Sequence, residues 1–471
     1  MFKFIWRNKI LFISFLLPLY IYSKTLLPTV GFWDTGEFQT VPYTFDIAHP
    51  TGYPTYILFG NLYLKIFNLG TVAWRMNFLS ALYASLAIYL LSILIKQITN
   101  NNYLSIFIPI LISINPYLWF VANRADPHSL HVLFAALFML LLYNTINTKD
   151  IKKLYMFCLI TGISLGNHML SVFFLLPLSL SVLLFIKFDK KYLKIIFLSV
   201  IFFAIGTSVY LLLPIISSVK EPISFDYKIN SITSFKRHVI GEDFIPTMNS
   251  WAKGDFKSTI QYYIDLVKNS FPYYSYILII FGATISFFQK KNRSFYYLIF
   301  FIYISTLYFS LRYQNGILER YFLTSYVISG VWIAVCFQQI IKVSKISIIK
   351  YIIYLCLLYI IAVQLPINYR ASDESKNTYS YDWAYQTLSN LPKNSQLFSW
   401  WSYSTPLWYI QRVENLRPDI LVTNLGSNQW ESNGIKAIET RNVYYIENFE
   451  INNNNYSLEQ NGNLYKLIKK Y

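Results

Sequence analysis

Residues 31–54 read GFWDTGEFQTVPYTFDIAHPTGYP, and this polar stretch lies between long apolar runs. It contains three acidic residues and one histidine. On either side of it, apolar runs of about 20 residues, the length that crosses a bilayer, recur from Ile10 to Pro366. The stretch is therefore predicted to be a loop of a protein with many transmembrane helices.

The composition agrees with lipid as the surrounding solvent. Of 471 residues, 55% are hydrophobic and only 13% are charged, whereas soluble domains carry about a quarter charged residues. The net charge of +17 comes from Lys and Arg in short loops, where they set orientation and meet anionic lipid. We therefore expect membrane lipids, and no nucleic acid, as partners. The three cysteines lie in apolar runs without ligand spacing, which argues against a disulfide framework or a zinc site.

The apolar runs predict about eleven spans. The first is interpreted as a retained helix because the basic N-terminus lacks a small-residue cleavage site. The predicted spans are 10–29, 76–95, 103–121, 127–146, 154–167, 170–187, 194–216, 272–289, 294–311, 321–341 and 347–366.

Loop charges predict the orientation. Alternate loops are rich in Lys and Arg and are assigned to the cytoplasm with the N-terminus. The segment 154–188 has basic flanks and is too long for one crossing, so it is predicted to cross twice. Residues 54–69 must not cross, and are predicted to form a helix that lies at the outer surface or dips into the membrane. The outer segments are then 30–75, 122–126, 168–169, 217–271, 312–320 and the tail from Ile367.

Composition changes at the tail. Residues 367–471 are polar, with helices predicted at 382–391 and 406–414 and strands at 396–401 and 419–424. We therefore predict an all-α polytopic membrane domain over residues 1–366 and a small α/β extracytoplasmic domain over residues 367–471. A bacterial inner membrane is the expected location.

Polar residues gather on the predicted outer side. Asp34 and Glu37 are three apart, so a helix would place both carboxylates on one face, as a general base and a second acid or metal ligand. The alternative is a solvated acid, or one paired with Arg75 or Arg124. Arg312, Glu319 and Arg320 could pair among themselves or bind a lipid phosphate. Trp400, Trp401 and Trp408 could stack on a sugar, but such tryptophans are more typical of a core or an interfacial belt. The other candidates are His49, Tyr53, Asp126, His128, Asn167 and His168.

Three blocks carry a resemblance to a known family: Asp34-x-x-Glu37, Ala48-His-Pro-Thr-Gly-Tyr-Pro54 and Arg75-x-Asn77-x-x-Ser80. In order and spacing they resemble the membrane proteins of domain of unknown function 2723, the transmembrane protein 260-like, protein O-mannosyltransferase-like family. Gly162 to His168 and Leu416 to Ile420 support it. The plan is similar to the wider GT-C glycosyltransferase superfamily, and the first loop resembles that of lipid A aminoarabinose transferases. Thr51, where many members have proline, is a mild departure.

The resemblance implies inverting transfer of a sugar, mannose as the first expectation, from a polyprenyl-phosphate donor to a protein or glycan acceptor. It implies that Asp34 is the base, and that Glu37 or Asp126 orients the acceptor or binds a metal. His49 and His168 would contact acceptor or phosphate. Arg124, Arg312 and Arg320 would neutralise the leaving phosphate, and Tyr53, His128, Asn167 and Glu319 complete the expected binding set. The mannosyltransferase branch needs no metal, so no cofactor is expected, with a divalent metal as the alternative.

Two other functions remain open from the sequence. A lipid-linked sugar transporter or flippase would place ionisable residues near the midplane, whereas here they cluster at one rim. A non-catalytic polysaccharide-assembly protein that kept the same fold is the second.

Overall fold

The computed structural model describes residues 9–183, 190–248, 250–271, 276–314, 316–344, 346 and 348–470. Within them, six helices are long and apolar enough to cross a membrane, or seven if a pair bent by 72° at Pro116 (Asn102–Ser113 with Pro116–Ala122) is one span. Two further apolar helical stretches are shorter, Met169–Leu183 and Tyr276–Phe288. The six long helices are Val72–Thr99, Pro127–Thr148, Tyr192–Val219, Arg293–Leu311, Leu318–Val343 and Ile348–Ser372.

All eleven predicted segments contain helix, and the chain is a multi-pass membrane protein. The first and fifth segments hold helices of only 12 and 15 residues, Ile13–Lys24 and Ile151–Leu165, fewer than the roughly 20 needed to cross. The count of eleven therefore stays a prediction. Residues 184–187 and 272–275 of the predicted spans, and Lys3, Arg7, Lys187 and Lys345 of the predicted basic loops, lie outside the described residues.

The helix Val72–Thr99 lies at the centre of the bundle. It packs against Pro127–Thr148, Asn102–Ser113 and Ile13–Lys24, and its buried residues include the small side chains Ala81, Ala84 and Ala87. Small residues let helices approach closely in a membrane, where apolar side chains gain little from leaving lipid. Elsewhere Gly162 and Gly206 serve the same purpose. A Cβ at Gly162 would lie 2.4 Å from the Phe203 carbonyl oxygen, and one at Gly206 would lie 2.3 Å from that of Leu159.

Two short helices follow the first apolar helix. We call Asp34–Thr44 the loop helix and Pro54–Ile66 the surface helix. The surface helix has 13 residues, a length of about 20 Å, which is less than the hydrocarbon core of about 30 Å. By itself it is too short to span the core, and the predicted position of residues 54–69 at the outer surface stays a prediction.

The segment between Val219 and the next apolar helix is also helical. It contains Ile232–Ile240, Ile245–Met248 and Phe256–Ser270. The apolar helix Tyr192–Val219 is divided by the 3-10 turn Ser208–Leu211 into Lys190–Thr207 and Leu212–Val219, and Met169–Leu183 consists of the 3-10 turn Met169–Phe174 and the helix Leu175–Leu183. Leu318–Val343 begins with the 3-10 turn Leu318–Phe322, and further 3-10 turns lie at Lys9–Phe12 and Glu242–Phe244.

The tail folds around a five-stranded sheet of order β2-β1-β3-β5-β4. β1 (Gln396–Ser399) pairs in parallel with β2 (Leu421–Asn424) and β3 (Val443–Tyr445). β5 (Leu464–Lys469) pairs antiparallel with β3 and with β4 (Tyr456–Asn461). The sequence predicted the first two strands but not the last three. The helices are Tyr379–Asn390, Trp401–Arg412 and Trp430–Ala437. The second begins five residues before the predicted start at Pro406, which brings Trp401 to the membrane part.

Candidate functional site

Asp34 is the first residue of the loop helix, and the tail domain fixes its position. The Thr405 hydroxyl donates to the Trp33 carbonyl oxygen at 2.7 Å, so the start of the loop helix is tied to Trp401–Arg412. Gly36 is required by close packing, because a Cβ there would lie 2.6 Å from the Gly31 carbonyl oxygen. The acid is thereby held where the two parts of the chain meet.

Both oxygens of Asp34 accept hydrogen bonds. Arg320 Nη2 donates to Oδ2 at 2.8 Å, and Trp401 Nε1 donates to Oδ1 at 2.9 Å. Burial alone would raise the pKa of Asp34, but the Arg320 and His49 charges and these two hydrogen bonds hold the pKa below its usual range. Asp34 is therefore a carboxylate at neutral pH. It pairs with Arg320 rather than with Arg75 or Arg124.

Arg320 also binds Asp126. Its Nη1 donates to Asp126 Oδ2 at 3.3 Å. The other carboxylate oxygen, Oδ1, accepts from the His128 backbone N–H at 2.8 Å and lies 2.8 Å from His128 Nδ1. Burial opposes ionisation of Asp126, but His128 and Arg320 lower its pKa. One guanidinium thus joins acids from two separate stretches of the chain, with Asp126 also capping the helix Pro127–Thr148.

Glu37 and His49 form a second carboxylate–imidazole pair. Glu37 is fully buried, and its oxygens lie 2.7 Å from the His49 backbone nitrogen and 2.5 Å from His49 Nδ1. Burial would lower the pKa of His49, but the Glu37 carboxylate outweighs it and raises that pKa. Glu37 does not line the cavity and is joined to it through His49, and the catalytic or metal-binding role that the sequence assigned to Glu37 stays a prediction.

These groups surround a cavity of about 600 Å³. Six of the predicted site residues line it: Asp34, His49, Tyr53, His128, His168 and Arg320. They come from four separate stretches of the chain, around residues 34–53, 128, 168 and 320. Rings of Trp33, Phe38, Phe244, Phe309, Tyr313, Tyr321 and Trp401 provide much of the remaining wall.

Six predicted residues lie outside this lining: Glu37 and Asp126, which are joined to it through His49 and through His128 and Arg320, and four whose contacts lie elsewhere. Arg124 forms an ion pair with Glu374 at 2.6 Å and, with Glu319, lines a separate cavity of about 270 Å³. Glu319 accepts a short hydrogen bond from the Tyr262 hydroxyl. The Arg312 guanidinium lies over the Trp251 ring at 4.8 Å. Asn167 is buried and donates to the Pro127 carbonyl oxygen at 3.0 Å, which joins two loops.

Asn77 and Ser80 of the third motif block form hydrogen bonds to residues near Asp34 and to the residues around Asp126. Asn77 Oδ1 accepts from Gln39 Nε2 at 2.8 Å and from the Ala125 backbone N–H at 2.7 Å. Ser80 Oγ accepts from the Asp126 backbone N–H at 3.3 Å. The block therefore joins the Asp34 loop to the Asp126 loop. Arg75 of the same block instead donates to the Leu64 and Phe67 carbonyl oxygens at the end of the surface helix.

Sequence reasoning missed the roles of Trp401 and Asn77. Trp401 was interpreted as core or belt because its tryptophan neighbours give the same composition signal. In the structure its indole N–H reaches Asp34, and its ring lies 5.4 Å from that of His49. Among the described residues, no group of three or more His, Cys, Asp and Glu side chains could hold a metal ion. The metal requirement stays a prediction.

The chain is similar to known proteins in sequence. Residues 34–192 match the model of the protein O-mannosyl-transferase TMEM260 N-terminal domain. The protein O-mannosyl-transferase tmem260 of Dictyostelium discoideum is 24% identical over 87% of this chain and 56% of that protein. The Mus musculus protein O-mannosyl-transferase TMEM260 is 23% identical over 85% of this chain and 60% of that protein. The chain thus spans less than two thirds of the length of these relatives.

Solved structures show the fold. ArnT from Cupriavidus metallidurans bound to undecaprenyl phosphate superposes with a TM-score of 0.56 at 10% identity, covering 99% of this chain and 97% of ArnT. The apo form of the same protein superposes with a TM-score of 0.57 at 11% identity, covering 93% of this chain and 92% of ArnT. The resemblance predicted from the blocks between Asp34 and Ser80 is therefore confirmed: the chain is similar in sequence to the TMEM260-type protein O-mannosyl-transferases and has the fold of ArnT.

Proposed function

We propose that the protein is an inverting glycosyltransferase. It moves a sugar, mannose as the first candidate, from a polyprenyl-phosphate donor to a hydroxyl of a protein or glycan. The observation that supports this most is the convergence of Asp34 and Asp126 on Arg320 at one cavity. The names of the relatives and the undecaprenyl phosphate bound to ArnT support the same assignment.

Arg320 is the proposed phosphate-binding group. Its Nε is buried without a hydrogen-bond partner among the described residues, and a buried donor without a partner costs about 1 to 3 kcal/mol. A phosphate oxygen would satisfy it and match the planar guanidinium. His49 lines the same cavity, and because Glu37 raises its pKa, its imidazolium form is a second group that can bind the phosphate.

Asp34 is the proposed base. The acceptor oxygen attacks the anomeric carbon, its proton passes to Asp34, and the bond from the anomeric carbon to the phosphate oxygen breaks with its electron pair on the polyprenyl phosphate. One displacement inverts the anomeric carbon. Arg320 lowers the pKa of Asp34, so a bound phosphate that offsets the Arg320 charge makes Asp34 more basic when the donor is in place.

The test is sugar transfer by membranes that contain the protein. Radiolabelled mannose on polyprenyl phosphate is supplied, and transfer is compared for the wild type and Asp34→Asn. We expect Asp34→Asn to lower the rate by about 10²- to 10⁴-fold, the usual contribution of a general base. Asp243→Asn is the matched control, because Asp243 also lines the cavity but is bonded to the exposed Arg237. Full activity of Asp34→Asn would remove the proposed mechanism.

We place the cavity and the tail domain on the extracytoplasmic face, with a cytoplasmic N-terminus, in a bacterial inner membrane. The support is the distribution of Lys and Arg among the loops. A reporter fused after Tyr471 should be active only as an exported protein. A reporter active in the cytoplasm would reverse the orientation.

A further inference from the structure

His128 differs from two other buried histidines, His131 and His238, in its hydrogen bonds. His131 has both ring nitrogens near partners, Thr324 Oγ1 at 2.9 Å and Ser171 Oγ at 3.4 Å. His238 lies 2.9 Å from the Tyr227 hydroxyl and 3.2 Å from the Ala48 carbonyl oxygen. His128 is only 2% exposed, yet its Nε2 finds no partner among the described residues. Buried polar atoms without partners are uncommon and call for an explanation.

The partner of Nδ1 decides what His128 Nε2 can do. Nδ1 lies 2.8 Å from the Asp126 carboxylate, which can only accept, so the proton of the neutral ring is on Nδ1. Nε2 then carries a lone pair and accepts a hydrogen bond. His128 lines the cavity, so a ligand there can supply the donor.

His168 provides the opposite group beside it. Its ring centroid lies 4.3 Å from that of His128, and it also lines the cavity. The Leu170 backbone N–H donates to His168 Nδ1 at 3.1 Å, which leaves the proton of the neutral ring on Nε2. Burial and the adjacent His128 and His131 rings lower the pKa of His168 well below its usual range, so the ring is neutral. His168 therefore donates from Nε2.

An acceptor and a donor side by side match one hydroxyl group. A hydroxyl can donate its proton to one ring nitrogen while its oxygen accepts from the other N–H. We propose that His128 and His168 form a hydroxyl-binding pair that holds one hydroxyl of the donor sugar and so sets which sugar is transferred. This inference rests on the proposed function and adds residues that determine its specificity.

The position of the pair favours the donor sugar over the acceptor. Asp126 binds His128 through one oxygen and Arg320 through the other, so the pair flanks the proposed phosphate-binding group. A sugar joined directly to that phosphate must lie beside Arg320. His128 and His168 are 2% and 4% exposed, whereas Trp33 on the same cavity is 49% exposed. The buried end therefore suits the sugar, and the open end near Asp34 suits an acceptor arriving from water.

The test combines variants with deoxy donors. His128→Asn can still donate to Asp126 with its side-chain amide, and His168→Asn can still accept from the Leu170 N–H with its amide oxygen. Both lose the group at Nε2. Transfer is measured with polyprenyl-phosphate mannose and its 2-, 3-, 4- and 6-deoxy forms. His131→Gln is the control, since both nitrogens of His131 are already bonded within the protein.

In the wild type and in His131→Gln, we expect one deoxy donor to react at least about a hundredfold more slowly than the parent, because a site built around a hydroxyl rejects the analogue that lacks it. In His128→Asn and His168→Asn, the same deoxy donor should differ from its parent by less than about tenfold. An unchanged penalty in both variants, or no deoxy penalty in the wild type, would overturn the hydroxyl-binding pair. If the Asn variants turn over too slowly, dissociation constants of the same donors carry the comparison, with His128→Ala and His168→Ser, which also lack a group at the Nε2 position, as replacements for variants that do not fold. A wild type that transfers no sugar would instead refute the proposed function.

Discussion

Two arginines that each pair with aspartate serve different purposes in the two parts of the chain. In the tail domain, Arg417 contacts both Asp419 oxygens at 2.9 Å and donates to the Leu388 and Leu391 carbonyl oxygens at 2.7 Å each. In the membrane part, Arg320 binds one oxygen of each of two acids, and its Nε is left without a partner in the described chain. A guanidinium with all its donors used holds the chain together. One with a donor left over beside a cavity is available to a ligand.

The comparison predicts its largest effect at Arg320. Lysine keeps the charge but cannot bridge two carboxylates and a phosphate with a planar fork. We expect Arg320→Lys to lower the rate of sugar transfer by about 10²- to 10³-fold, the cost of losing one transition-state hydrogen-bond donor. The rate per molecule of correctly folded protein, judged by gel filtration in detergent, is the measurement. An Arg320→Lys variant with the wild-type rate would contradict this role.

The Glu37–His49 pair should control the pH dependence. Glu37 raises the pKa of His49, so the imidazolium persists to higher pH and is lost as pH rises through that raised value. Any stability that the Glu37–His49 pair contributes is fully present below the ordinary histidine pKa and is lost as the pH rises through the raised pKa of His49. Glu37→Gln should move the alkaline fall of kcat/KM to lower pH, and activity on the alkaline side should drop about tenfold for each pH unit that the fall moves. The measurement is kcat/KM as a function of pH, from about pH 5.5 to 8.5, for the wild type and Glu37→Gln. Superimposable profiles of the two proteins would show that Glu37 does not set the charge of His49.

Replacing Arg417 should affect stability rather than chemistry. Arg417→Lys loses hydrogen bonds to carbonyl oxygens between the end of the helix Tyr379–Asn390 and the start of β1. We expect a loss of about 2 kcal/mol, seen as a lower melting temperature of the purified protein. Transfer per folded molecule should stay at the wild-type level. A folded Arg417→Lys variant without activity would show that the two arginines do not differ in purpose.

The smallest effect is expected at Arg124. Its guanidinium is bound to Glu374 and stacks on Phe120 outside the main cavity. Arg124→Gln removes a partly exposed ion pair, usually worth less than about 1 kcal/mol. Transfer should fall by less than about fivefold. A loss as large as that for Arg320→Lys would move the phosphate site toward the second cavity.

The sequence predicted the local parts of the site better than its long-range pairings. The residues from Asp34 to Tyr53 are close in sequence, so their spacing alone pointed to one outer loop. The sequence could not show which of Arg124, Arg312 and Arg320 pairs with Asp34. The partner, Arg320, lies 286 positions away in the chain, and helix packing determines which arginine reaches Asp34. Trp401 is 367 positions from Asp34, and composition does not say which tryptophan of a pair faces the cavity. The strands β3 to β5 were missed because β3 has only three residues and because β4 and β5 do not alternate between apolar and polar side chains over their whole length.

The most direct measurement is equilibrium binding of polyprenyl phosphate to the purified protein. The wild type, Arg320→Lys and Arg417→Lys are compared in the same detergent and salt. If Arg320 holds the donor phosphate, Arg320→Lys should bind at least about tenfold more weakly, the loss of one charge-assisted hydrogen bond, and Arg417→Lys should bind as the wild type does. Equal affinity of the wild type and Arg320→Lys would contradict the account.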